Sequence, residues 1–179
     1  MRALPLDTAD TELGARILKV NHAGENGAVQ IYAAQIAVAR LTAPALVAEL
    51  REFRSHEERH RAIFQAELLR RGRPRCRSYV LCALGGWVLG FVTGLLGSSA
   101  IAATTVAVER VVLRHLKVQL AQLRHSDPAA VLAIEAIVAD EQRHHDELAA
   151  QVGQSAWVKV LEPVVSTATE AVIWLGMKL

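Results

Sequence analysis

The sequence predicts an all-α protein, a four-helix bundle made of two similar helical hairpins, with an added apolar segment and a C-terminal helix. Apolar residues fill 52% of the 179 positions but aromatic residues only 4%, which favours helix packing by Ala, Val and Leu over a sheet sandwich. Apolar positions recur at steps of three and four, and no stretch shows the alternation of a strand. A set of polar residues repeats after 84 positions, as a duplicated hairpin would require.

Capping and breaking residues delimit the predicted helices. Gly72 ends the second helix, the pair Asp127-Pro128 starts the fourth, and Glu162-Pro163 begins or bends the last. The predicted helices cover about residues 10–41, 45–71, 98–124, 128–152 and 162–179. We find no linker that would divide the chain, so we expect a single domain over residues 1–179.

Acidic and histidine side chains interrupt the apolar stripes of the four bundle helices. In two of these helices the interruption is a Glu-x-x-His motif, and in the other two it is a single Glu. Residues at i and i+3 share one face of a helix, so each motif directs a carboxylate and an imidazole to the same interior. The six candidates are Glu25, Glu57, His60, Glu109, Glu141 and His144.

The candidates repeat in register. Glu25 precedes Glu57 by 32 residues, Glu109 precedes Glu141 by the same 32, and the two histidines follow the same shift of 84. Four carboxylates in one interior repel each other unless cations neutralise them, and two divalent metal ions supply that charge. This ligand set is typical of di-metal carboxylate bundles. A single Glu-x-x-His would more often mark an exposed charged helix, but the doubled set predicts a metal site.

The sequence leaves two roles open for each of two other polar residues, His22 and Tyr32. His22 lies one turn before the first ligand and either supports it from behind or faces solvent. Tyr32 is either a packing residue or a partner in proton or electron transfer. We do not expect His56, His115 or His145 to be ligands, because they lie off the stripes or have no counterpart in the other half.

Several strings of the sequence resemble the demethoxyubiquinone hydroxylases, a ferritin-like family of di-iron monooxygenases of ubiquinone biosynthesis. The matching strings, in family order, are NHAGENGAVQIYAAQ at 21–35, SHEERH at 55–60, GGWVLGFVTGLLG at 85–97, TTVAVE at 104–109 and DEQRHHDE at 140–147. The resemblance covers nearly the whole chain. It implies that the same six residues reached from the register bind iron.

The resemblance also implies a reaction. Two iron ions per subunit, cycling between the ferrous and ferric states, would use O₂ as co-substrate to hydroxylate the ring of a polyprenylated methoxybenzoquinone or quinol. The glycines lack the spacing of a dinucleotide-binding loop, so we expect electrons from an external donor or from the quinol itself. A homo-oligomer or accessory proteins of ubiquinone biosynthesis are compatible partners. We expect no nucleic-acid partner.

A long uncharged segment precedes Glu109. Residues 78–108 contain no charged side chain, and five arginines lie within residues 70–77. The segment is long enough to span a bilayer, but spanning would carry Glu109 away from the other ligands. Burial of the segment within an oligomer is the other alternative. We therefore expect residues 78–101 to contact one leaflet, with the arginines against anionic lipid. The predicted location is peripheral, on the cytoplasmic side of a bacterial membrane or the matrix side of the inner mitochondrial membrane.

Three other functions use some of the same features. A ferritin-like ferroxidase or iron-storage protein can have the same ligand set, but a storage shell needs a soluble exterior. A tRNA-modifying di-iron hydroxylase would use the arginines for phosphate contacts, but it leaves the uncharged segment without a role. A non-catalytic quinone-binding protein would not need the intact ligand set.

Overall fold

The computed structural model describes residues 8–152 and 155–179 of the chain, and these residues form six α-helices and one short 3₁₀ turn, with no strand among them. The α-helices are α1 (Thr8–Thr42), α2 (Val47–Arg70), α3 (Tyr79–Leu95), α4 (Ser98–Leu123), α5 (Pro128–Val152) and α6 (Ala156–Lys178). The 3₁₀ turn, Pro44–Leu46, joins α1 to α2. The predicted all-α bundle is confirmed.

Helices α1, α2, α4 and α5 are the bundle. Helix α1 packs on α2 and α4 packs on α5, as expected for two hairpins. Gly72 ends α2 in a left-handed conformation with a φ of 62°. The Asp127 side chain accepts a hydrogen bond of 3.1 Å from the backbone N–H of Ala130 at the start of α5. Both helix-boundary predictions are therefore confirmed.

Two apolar layers occupy the bundle interior, and the polar candidates lie between them along the helices. One layer contains Ile17, Phe64 and Ile134, and the other contains Tyr32 and Phe53. Their side chains are almost fully excluded from solvent. The polar residues between the layers are consequently cut off from water on both sides.

The uncharged segment forms helix α3 and the first part of α4. Gly97, with a φ of 88°, separates the two helices. Helix α3 lies along α1 with its small residues inward, and it exposes large apolar side chains on its other side. Those exposed side chains are Val80, Leu81, Leu84, Trp87, Val88, Phe91, Val92 and Leu95.

Helix α6 differs from the sequence prediction. It begins at Ala156, six residues before Glu162, and continues through Pro163 without ending there. Proline is tolerated inside a helix when its missing donor can be accommodated, and the sequence pattern alone does not reveal that. Within the described residues α6 alone is both long and apolar enough to cross a membrane by length and composition.

Candidate metal centre

The two Glu-x-x-His motifs face each other across the centre of the bundle. On α2, Nδ1 of His60 lies 3.6 Å from a carboxylate oxygen of Glu57 and 2.8 Å from one of Glu141 on α5. In return, Nδ1 of His144 on α5 lies 3.2 Å from the other carboxylate oxygen of Glu57. Both glutamates therefore stand between the two histidines.

The single glutamates of α1 and α4 complete the cluster from opposite sides. Ligand atoms that lie within 4.8 Å of one another form two overlapping quartets. They are Glu25, Glu57, His60, Glu141 and Glu57, Glu109, Glu141, His144. All six side chains are buried. The structure thus brings together every residue that the sequence predicted as a ligand, with Glu57 and Glu141 common to both quartets.

Burial makes two of the carboxylates hard to ionise in the metal-free protein. Loss of solvation raises the pKa of Glu25 well above its usual value, and the nearby charges of Glu141 and Glu57 raise it further. Burial and the proximity of Glu141 likewise raise the pKa of Glu109. A cation between these side chains would offset the repulsion between carboxylates that favours the protonated forms of Glu25 and Glu109.

In the same cluster, the charges of Glu57 and His60 compensate each other. Burial opposes the ionisation of Glu57, but close contacts with the imidazoles of His144 and His60 outweigh it and lower the pKa of Glu57 to about 2. Burial also disfavours the charged form of His60, but contacts with Glu141 and Glu57 raise its pKa to about 11. In the metal-free protein a proton on His60 balances part of the negative charge. A divalent metal would displace that proton.

The donor atoms themselves fit a metal. Four buried atoms of the cluster make no aligned hydrogen bond with the described residues: Oε1 of Glu57, Oε1 of Glu141, Nδ1 of His60 and Nδ1 of His144. Buried polar atoms nearly always have a partner, and these four point at one another. Carboxylate oxygens and imidazole nitrogens are the donors that divalent iron and manganese bind. The residues present therefore fit a metal site.

Tyr32 and His22, the predicted supporting residues, occupy different surroundings. The hydroxyl of Tyr32 is buried and donates a hydrogen bond of 3.4 Å to a carboxylate oxygen of Glu109. The ring of His22 stacks on Tyr79 at 4.9 Å between centroids, and neither of its nitrogens has a hydrogen-bond partner among the described residues. Tyr32 thus touches the cluster directly, whereas His22 is buried against Tyr79 and does not face solvent.

Two residues that the sequence analysis did not place at the site, His56 (considered only as a non-ligand) and Asp140, contact Nε2 of the two histidines. Nε2 of His60 lies 3.1 Å from a carboxylate oxygen of Asp140, and Nε2 of His144 lies 2.9 Å from Nδ1 of His56. His56 and Asp140 are themselves related by the shift of 84. Extending the register argument by one residue before each motif would have found the pair.

An apolar cavity of about 270 Å³ ends at the cluster. Its walls come from α1, α3, α4 and α6, mostly as Gly, Ala, Val, Leu and Ile. Four carboxylates line it, those of Glu25, Glu57, Glu109 and Glu141. His115 also borders the cavity and lies 2.9 Å from a carboxylate oxygen of Glu170 on α6. The carboxylates therefore face an apolar cavity.

The fold and the cluster together define a ferritin-like bundle of the carboxylate–histidine class. The chain belongs to the family described as ubiquinone biosynthesis protein COQ7, which matches residues 12–176. It is 33% identical to a 3-demethoxyubiquinol 3-hydroxylase of Rhodospirillum rubrum, over 97% of this chain and 82% of the relative. It is 30% identical to the human NADPH-dependent 3-demethoxyubiquinone 3-hydroxylase, mitochondrial, over 98% of this chain and 82% of that protein.

A Dictyostelium discoideum protein with the same name as the human one is 33% identical, over 91% of this chain and 76% of the relative. The resemblance inferred from the sequence strings is therefore confirmed. Family membership disfavours the two alternative functions, iron storage and tRNA modification.

Proposed function

We propose that this protein is an O₂-dependent monooxygenase that hydroxylates the ring of a demethoxyubiquinol in ubiquinone biosynthesis. The observation that carries the proposal is the apolar cavity that ends on four carboxylates of a buried Glu/His cluster. The relatives are named for this reaction. In the overall reaction, one oxygen atom of O₂ enters a ring C–H bond and the other leaves as water, with two electrons and two protons consumed.

The six clustered residues are the proposed ligands of two iron ions per subunit. Glu25, Glu57, His60 and Glu141 would hold one ion, and Glu57, Glu109, Glu141 and His144 the other. Bound iron supplies O₂ activation and electron transfer, which no protein side chain here can supply. The protein holds the donors rigidly between two apolar layers and excludes bulk water from them. We propose an external electron donor.

The cavity walls would orient the substrate ring. Side chains of α1 and α4 would bring the ring up to the carboxylates, and apart from these the polar lining side chains are Asn21, His115 and Thr169, each paired with another protein group. Tyr32 donates a hydrogen bond to Glu109, so it can hold that carboxylate in one orientation. Exclusion of water protects the reaction from side reactions such as loss of the oxidising equivalents to solvent.

The isoprenoid tail would leave the cavity between α3 and α6. Each of these helices lines the cavity on one side and exposes large apolar residues on the other. On α3 the exposed side chains include Trp87 and Phe91, and on α6 they include Val160 and Trp174. We propose that this apolar surface, with the arginines of residues 70–77 beside it, attaches the protein peripherally to a membrane.

A product-mass experiment tests the proposed reaction. Purified protein, loaded anaerobically with Fe²⁺, is mixed with a short-tailed demethoxyubiquinol, a reductant and ¹⁸O₂. We expect a product heavier by one ¹⁸O atom, and we expect none from the Glu57→Gln variant. Glu58→Gln is the matched control, because Glu58 is adjacent but its side chain is 45% exposed and points away from the cluster. Unlabelled product, or full activity of Glu57→Gln, would contradict the proposal.

A second experiment separates substrate access from metal binding. Ala28 lines the cavity on α1, and the Ala28→Leu change fills part of it while keeping a good helix former. We expect the variant to retain its metal content but to turn over long-tailed and short-tailed quinols at least tenfold more slowly. An unchanged rate would show that substrate does not use this cavity.

A further inference from the structure

The two proposed metal positions have the same number and types of ligand. Each quartet contains three carboxylates and one imidazole, and two of the carboxylates are common to both. All the ligand side chains are buried to a similar degree. On the ligands alone, the two positions should therefore bind a divalent metal equally well. Any difference between them must come from the groups that contact the ligands from outside.

The two histidines have different outer partners. Each histidine turns Nδ1 toward the carboxylates and Nε2 toward the residue that precedes the opposite Glu-x-x-His motif. For His60 that residue is Asp140, with a carboxylate oxygen at 3.1 Å. For His144 it is His56, with Nδ1 at 2.9 Å. The bundle is thus symmetric in its ligands but not in these two contacts.

These partners affect a metal-bound imidazole differently. When Nδ1 binds a metal, Nε2 carries the proton and must donate it in a hydrogen bond. Asp140 accepts that bond with a carboxylate, which increases electron donation from the ring of His60 to the metal. The acceptor for His144 is Nδ1 of His56, and a ring nitrogen that accepts a hydrogen bond belongs to a neutral imidazole. With a neutral acceptor, the ring of His144 donates less electron density to its metal than the ring of His60 does.

Neighbouring arginines weaken both outer partners as acceptors and do not remove this difference. Arg59 and Arg143 both contact the carboxylate of Asp140, and Arg143 also lies 3.2 Å from Nδ1 of His56. Their side chains are 53% and 44% exposed, so water screens their charge. The ring of His60 is fully buried, and its hydrogen bond to Asp140 is screened far less. The direct contact therefore dominates.

We propose that the two metal positions are inequivalent, that the position containing His60 binds its metal first and more tightly, and that His56 sets this order as a positioning residue. The proposal rests on the metal centre proposed above. Outer contacts of this kind change metal affinity by about 10- to 100-fold. We therefore expect the two dissociation constants to differ by at least tenfold.

Cobalt binding tests the order without any enzyme assay. Metal-free protein is titrated anaerobically with Co²⁺, and binding is followed by calorimetry and by the visible absorption of the ion. We expect two separate steps of one ion each. A crystal of protein loaded with one equivalent should show its anomalous cobalt peak beside His60 and little beside His144.

Exchanging the outer partners gives matched variants. His56→Asp supplies His144 with a carboxylate, and we expect the two binding steps to merge because the weaker position becomes tighter. The double variant His56→Asp, Asp140→His exchanges the partners, and we expect the first cobalt to move to the position of His144. Circular dichroism and thermal unfolding check that both variants fold.

Each result has a definite meaning. Two equal steps in the wild-type protein, binding of both ions as an inseparable pair, or a first cobalt beside His144 would overturn the proposed order. An unchanged order in the folded double variant would overturn the role of His56. No cobalt binding at all would instead overturn the metal centre itself, so the two failures are distinguishable.

Discussion

Helix α3 packs so closely on α1 that one methyl group added at Gly90 should push the two helices apart. A Cβ atom built on Gly90 lies 2.2 Å from the backbone carbonyl oxygen of Ile31, and real Cβ contacts essentially never fall below 3.0 Å. The obstacle is backbone, so no side-chain rotation can relieve it. In the Gly90→Ala variant, α3 must move away from α1 by roughly 1 Å to restore ordinary contact distances.

The magnitude follows from two opposing effects. Replacing Gly by Ala inside a helix stabilises it by about 1 kcal/mol, whereas forcing extra volume into a packed interface costs about 1–3 kcal/mol. A backbone obstacle places Gly90→Ala at the upper end of that cost, so we expect a net loss of about 1–2 kcal/mol. For a chain of this size that corresponds to a Tm lower by about 2–8 °C.

Gly85, five residues earlier in the same helix, is the matched control. A Cβ atom built there meets nothing within 4 Å. We therefore expect Gly85→Ala to raise the free energy of unfolding by about 0.5–1 kcal/mol through helix propensity alone. Thermal and urea unfolding, followed by circular dichroism at 222 nm, compare the two variants with the wild type. If Gly90→Ala proves as stable as Gly85→Ala, α3 does not pack on α1 in this register.

Three further predictions concern the metal, the buried charge and the membrane. Metal analysis after ferrous loading should find less than half of the wild-type iron in His144→Ala but a normal amount in His145→Ala, and equal loss in both would contradict the ligand assignment. Burial raises the pKa of Glu25 above its unfolded value, so metal-free protein should lose stability as pH rises above about 4.5. In thermal melts of chelator-treated protein, the stability of the Glu25→Gln variant should fall less with rising pH. A metal-free variant less stable than the wild type at pH 8 would refute this. Flotation with anionic liposomes should fall for Trp87→Ser but not for Leu132→Ser, which is 68% exposed on α5, and similar flotation of both would argue against membrane contact through α3.

The sequence determined the bundle and the composition of its polar centre, because both follow from local rules. Helix periodicity fixes which residues share a face, and the repeat after 84 residues fixes how the two hairpins correspond. Glu57 and Glu141 therefore had to meet if the hairpins packed on each other, and the structure brings them together. That these residues bind iron stays a prediction until metal is measured.

Only the tertiary structure decided what surrounds that centre. Contacts such as His144 with His56 join residues 88 positions apart, and their partners depend on how α2 and α5 are rotated about their axes. The cavity depends on where α3 and α6 lie against α1 and α4. Helix α6 begins at Ala156 and includes Pro163, although the local pattern favoured a start or bend at that proline. Local periodicity specifies a face for each helix, but side-chain packing between distant helices sets the angles and distances that shape a site.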